Sequence, residues 1–152
     1  MGSPPVAVIG PREPTEAQAA FAEILGEALA RQGLVVLCGG KTGVMEAACR
    51  GVAKAGGISV GLLPDEHWSG GNPHVTIPLA TGIGPARNAL IARAACALVA
   101  VGGGVGTLSE IALGLQFGRA VFVGHGAPFV AGVQTYEAWD DLWPRLKAAL
   151  PG

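Results

Sequence analysis

Charge is scarce in this chain: only 14% of its 152 residues are Asp, Glu, Lys or Arg, and the net charge is −1. A balance so close to neutral gives no electrostatic hold on nucleic acid or on an anionic membrane, and neither is expected as a partner. Long apolar runs are missing too; none reaches the ~18 residues that a membrane-crossing helix needs. The segment from Met1 to Ile9 has no charged stretch ahead of its apolar residues and leads straight into a strand. Val6 stands where myristoylation would want Ser or Thr. No targeting segment is read here, and a cytoplasmic location is expected. Cysteine is limited to Cys38, Cys49 and Cys96, and histidine to His67, His74 and His125, with no metal-ligand spacing in either set. No metal site is expected, and the cysteines read as small apolar core residues in a reducing compartment. There is no GxSxG elbow. Gly40-Lys41-Thr42 fails as a P-loop because Val35 stands where the motif needs glycine. Gly102-x-Gly104 fails as a dinucleotide fingerprint because Thr107 stands where the third glycine belongs. Hydrolase triads and nicotinamide chemistry therefore have no support.

What the chain does have is apolar residues, half of the total, and 25 glycines. They fall in one alternating pattern. Apolar strands are expected at Val6–Ile9, Leu34–Cys38, Ile58–Leu63, Val75–Pro78, Ala97–Val101 and Ala120–Val123. Between them come helical segments at Thr15–Gln32, about Val44–Ala55 and about Ala86–Ala95, then one at Ser109–Phe117 opened by Thr107, and a last one at Tyr136–Leu150. Thr15 and Gln18 are spaced as a capping box. Alternation of this kind implies βαβ units: an α/β, Rossmann-like, three-layer α/β/α fold with a mostly parallel sheet. No repeat or linker divides it, so residues 1–152 read as a single domain.

Three glycine-bearing loops, 39–43, 81–84 and 102–106, fall at the C-terminal ends of strands. In open α/β sheets the ligand crevice forms at that edge. The third is the most informative, because side-chain-free backbone between a strand and a helix start exposes N–H groups and the positive end of the helix dipole to an anion. The candidate ligand-binding residues are Gly39, Gly40, Lys41, Thr42, Gly43, Thr81, Gly82, Asn88, Gly102, Gly103, Gly104, Val105, Gly106 and Thr107. Arg87 sits in the first turn of its helix, where the dipole disfavours a cation, so a bound anion explains it better than solvent does. Glu110 has two readings. Thr107-Leu-Ser-Glu110 is itself a capping-box pattern, and a carboxylate beside a phosphate seat is also a candidate reacting group. Asp65, Glu66, His67 and Trp68 lie on the loop after the third strand, either flanking a ligand or as a polar loop. Trp139 and Trp143 read as packing residues.

Three segments carry a resemblance: Cys38-Gly-Gly-Lys-Thr-Gly-Val-Met-Glu46, Gly84-Pro-Ala-Arg-Asn88 and Gly102-Gly-Gly-Val-Gly-Thr-Leu-Ser-Glu110. In order and spacing they resemble the LOG-type superfamily, Rossmann-like proteins long called lysine decarboxylase-like, over about residues 5–125. That group contains nucleoside 5′-monophosphate phosphoribohydrolases and molybdenum-cofactor carrier proteins. The phosphoribohydrolase signature PGGxGTxxE is matched at Gly103, Gly104, Gly106, Thr107 and Glu110, while Gly102 replaces its Pro and Asn88 its Lys. These two departures look closer to the carrier branch. The resemblance implies catalytic roles for Arg87 and Glu110 in cleaving an N-glycosidic bond to free base and ribose 5-phosphate, with no cofactor required. Its alternative is a carrier without turnover, with the molybdenum cofactor as the carried ligand. Either way the expected partner is a small nucleotide or phosphate-bearing molecule. The low charge and the alanine-rich segments 86–97 and 111–121 also point to a homodimer or homotetramer, as the resemblance does.

Overall fold

The computed structural model describes residues 2–151. Its core is one seven-stranded sheet: β1 (Val6–Ile9), β2 (Val36–Cys38), β3 (Ser59–Leu63), β4 (Ile77–Ala80), β5 (Ala97–Val101), β6 (Ala120–Gly124) and β7 (Gln134–Thr135). The strand order is β4-β3-β2-β1-β5-β6-β7, and every pairing is parallel. Five helices cover the sheet: α1 (Glu16–Arg31), α2 (Val44–Lys54), α3 (Arg87–Ala94), α4 (Val105–Gln116) and α5 (Trp139–Ala149). The period-2 alternation of side chains divides the apolar residues between two cores. Val6, Val8, Val99, Val101 and Phe122 pack against α1, α2 and α5. Ala7, Ile9, Leu98, Ala100 and Val121 pack against α3 and α4 on the opposite face. Three layers follow, with strand order reversing between β1 and β5, and this is the Rossmann-like α/β/α arrangement that the alternating pattern implies.

Local chemistry explains where the elements begin and end. Thr15 caps α1 with both bonds of the capping box, Gln18 N to Thr15 Oγ1 at 3.1 Å and Thr15 N to Gln18 Oε1 at 2.9 Å. β2 starts at Val36, two residues later than the apolar run suggests, because Leu34 N is still bonded to Leu29 O at the end of α1. β4 lies at Ile77–Ala80 rather than Val75–Pro78 because Asn72 Oδ1 accepts from His74 N and Val75 N and holds that segment in a turn. A 3₁₀ turn over Gly84–Ala86 precedes α3. α4 begins at Val105, inside the glycine segment, with Gly104 at the cap. The expected opening at Thr107 is therefore corrected by two residues, and the helix claims the end of the loop. Tyr136 belongs to the sheet edge rather than to the last helix: its N–H bonds Val123 O and its hydroxyl bonds Ala100 O. That leaves Gln134–Thr135 as a seventh strand too short and too polar to signal itself in the sequence.

Cys38 and Cys49 are buried with their sulfurs 3.6 Å apart, Cys96 is half-buried, and all three are free thiols. Trp139 and Trp143 stack at 5.0 Å and pack against the core. No helix among the described residues is long and apolar enough to cross a membrane.

Candidate functional site

A cavity of about 470 Å³ opens at the C-terminal edge of the sheet, beside the point where strand order reverses. Two of the three glycine loops reach it, through Gly39 and through Gly104, Gly106 and Thr107. α3 contributes Arg87 and Asn88, and α4 contributes Glu110.

The start of α4 is built to leave donors free. No side chain caps it, and the loop bond into its first turn is Leu108 N to Gly104 O at 2.9 Å. The N–H groups of Val105, Gly106 and Thr107 thus have no intrahelical acceptor. Gly103 turns the chain into this start with φ 138°, and a Cβ there would overlap the Thr107 side chain. Asn88 Nδ2 donates to Ser109 Oγ at 3.1 Å, which ties α3 to α4 across the mouth.

Arg87 is 7% exposed. Its Nη1 donates to Leu62 O at 2.7 Å at the end of β3, while its Nε is buried without a partner. A buried guanidinium N–H without an acceptor carries a desolvation cost that a bound acceptor would remove. Gly39 makes room for it, since a Cβ at that position would overlap the guanidinium. Glu110 is 8% exposed, and no ion pair within 4 Å joins it to Arg87 among the described residues. Burial pushes its carboxyl up to about 8, with Arg87 pulling the other way. Burial also works against the Arg87 charge, opposed by Glu110, yet a guanidinium stays protonated. Near neutral pH the cavity therefore holds one buried cation, a set of free backbone donors and a carboxylic acid in its neutral form. The capping reading of Glu110 is corrected: Gly104 is the cap, and Glu110 lies in the second turn with its side chain on the cavity wall.

Other candidate residues have structural partners instead. Lys41 Nζ is bound by both Asp65 oxygens, at 3.0 and 3.1 Å, and by Gly70 O at 2.7 Å, so it tethers the loop after β3. Thr42 is exposed and outside the lining, as is Val105, which is 85% exposed. Gly40 packs on Leu63 and Gly61, and Gly43 packs on the carbonyls of Pro11 and Arg12. Thr81 Oγ1 donates to Leu63 O at 2.7 Å, and Gly82 N donates to Asp65 O at 2.9 Å. Gly102 N donates to Gly124 O at 3.0 Å, and a Cβ on Gly102 would overlap the Gln18 amide. These glycines shape the crevice from behind it. Sequence reasoning missed the loop after β1, where Gly10, Pro11 and Arg12 form one wall. Their signal was positional: the strand that flanks the reversal point must deliver its loop there. Among the described residues no group of three or more His, Cys, Asp or Glu could hold a metal ion.

Residues 3–138 match the model of the SLOG cluster4 family. An uncharacterized protein of Archaeoglobus fulgidus is 38% identical over 132 residues, covering 87% of each chain. The molybdenum cofactor binding protein from the phototrophic bacterium Rippkaea orientalis superposes with a TM-score of 0.88 at 30% identity, covering 97% of this chain and 98% of that one. The molybdenum cofactor carrier protein from Chlamydomonas reinhardtii does so with a TM-score of 0.88 at 32% identity, over the same shares.

Proposed function

The chain belongs to the SLOG cluster4 family, and we propose that it binds a small phosphate-bearing ligand at the mouth of α4 and acts as a carrier of the molybdenum cofactor, whose pterin bears a phosphate. The phosphate part rests on one observation above others: Arg87 is buried with an unpartnered Nε beside a helix start that no side chain caps. A phosphate oxygen satisfies both kinds of donor at once. The carrier part is supported by full-length likeness to two proteins described as binding or carrying that cofactor. The state of Glu110 agrees with it. A carboxyl pushed up to about 8 is mostly neutral at pH 7, and a dianion bound nearby would hold it neutral. A neutral carboxyl can donate a hydrogen bond to a ligand but cannot stabilise a cationic sugar by charge.

The same Glu110 supports a second reading. A neutral acid within a nucleotide-sized cavity can protonate a departing base while water attacks C1′ of the sugar; the C1′–N bond breaks and ribose 5-phosphate is left. Here Arg87 would hold the 5′-phosphate. One experiment separates the two. The protein is incubated with molybdenum cofactor and, separately, with a panel of nucleoside 5′-monophosphates, and free base and ribose 5-phosphate are assayed. Retention of the cofactor with no base released is expected. Catalytic release of base would overturn the carrier reading in favour of the hydrolase.

A further inference from the structure

We propose that Arg12, on the loop after β1, is the second cation of a two-arginine clamp that selects a terminal phosphomonoester over a phosphodiester. The inference deepens the phosphate-site reading and rests on it. Arg12 lines the same cavity as Arg87, from the loop after β1, while Arg87 reaches it from the start of α3. Its position is fixed from below rather than by its own side chain. Val44 N donates to Pro11 O at 3.0 Å, and the Gly43 backbone packs directly on the Pro11 and Arg12 carbonyls. The side chain itself is exposed and makes no hydrogen bond or ion pair among the described residues. Asp65, on the loop after β3, is already held by Lys41. Arg87 and Arg12 therefore present two positive charges to one cavity.

The cavity's one carboxyl, Glu110, is buried and carries no compensating ion pair. Two guanidiniums plus the partial positive charge at the start of α4 exceed what a monoanion can neutralise. A terminal phosphomonoester carries about −1.5 to −2 at pH 7 and offers three oxygens. One can accept from Arg87, one from Arg12 and one from the free N–H groups of α4. A phosphodiester offers one charge and two free oxygens, so one of the three donor sets goes unused. Arg12 is the natural member to be left over, because it alone is on an exposed loop and can return to water.

The test is a ³¹P NMR titration of the whole protein at pH 7.5 with methyl phosphate and with dimethyl phosphate, probes small enough to need no recognition of a base or pterin and suited to millimolar affinities. The wild-type protein should bind methyl phosphate at least ~10-fold more tightly than dimethyl phosphate, the scale of one charge-assisted hydrogen-bonded pair. Arg12→Gln should remove most of that preference by weakening methyl phosphate binding, with a smaller loss for dimethyl phosphate, while Arg12→Lys should restore part of it. Because Arg12 is exposed, neither variant threatens the fold, and a melting curve checks this. Wild-type and Arg12→Gln proteins that bind methyl phosphate equally would overturn the role of Arg12 and leave the phosphate site standing. A wild-type protein that binds neither probe would overturn the phosphate site and the clamp together.

Discussion

Replacing Glu110 by Gln should stabilise this protein, and by an amount that depends on pH in a fixed direction. The carboxyl is 8% exposed, and burial raises it from an ordinary 4.5 to about 8. A raised acid binds its proton more tightly in the folded state than in the unfolded one. Below pH 4.5 both states are protonated and nothing is lost. Between pH 4.5 and about 8 the unfolded chain ionises while the folded chain does not, so wild-type stability falls as pH rises and levels off above about 8. At about 1.4 kcal/mol per pH unit the whole window is worth on the order of 5 kcal/mol. Gln keeps the shape and has no such titration. The variant should match the wild type near pH 4.5 and exceed it progressively, by a melting-temperature gap on the order of 10 °C at pH 8 to 9 for a chain of this size. Urea or thermal unfolding of both proteins from pH 4.5 to 9 measures the gap. A variant that is less stable by about 1 kcal/mol at every pH, as loss of a cap or of an ion pair would make it, refutes the reasoning.

Other outcomes follow from the same geometry. Arg87→Lys keeps the charge but loses the fork that reaches Leu62 O and the cavity together, and Gly39→Ala intrudes on the guanidinium without removing it. Each should weaken phosphate binding by ~10-fold or more in a calorimetric titration. Gly51→Ala, far from the cavity, would drive a Cβ into Glu23 O where α2 crosses α1, and should cost about 1–3 kcal/mol in urea unfolding with phosphate affinity intact. Leu90 on α3 and Val105 and Leu108 on α4 are exposed at 43%, 85% and 38%; light scattering at micromolar concentration should give a mass of two or four chains, and Leu90→Asp should lower it.

The layers of the fold were legible because burial on both faces leaves unbroken apolar runs. Ala97–Val101 is a strand with the bounds its apolar stretch suggests, and Thr15 and Gln18 form the box their spacing implies. Boundaries failed where a hydrogen bond that the apolar pattern does not encode decides them. Asn72 delays β4 in this way, and Tyr136 is drawn to the sheet edge by Val123 and Ala100. Among the cavity-lining residues, Arg87 could be picked out because the helix dipole disfavours a cation in a first turn, and Asn88, Thr107 and Glu110 because they stand in the segments that carry the resemblance. Lys41 looked equally suited, and nothing local told that Asp65 and Gly70, on a loop 24 and 29 residues away, would bind it. Arg12 stood in a loop that matches no motif, and only the topology brings that loop to the cavity.

The claim on which the account depends is that an anion sits at the start of α4. The most direct measurement is a crystal of the protein soaked in phosphate. The account predicts a tetrahedral anion against the N–H groups of residues 105–107, within hydrogen-bond reach of Arg87 Nε or Nη2. Phosphate ordered elsewhere while the mouth of α4 stays filled by water or by the protein's own side chains would contradict it.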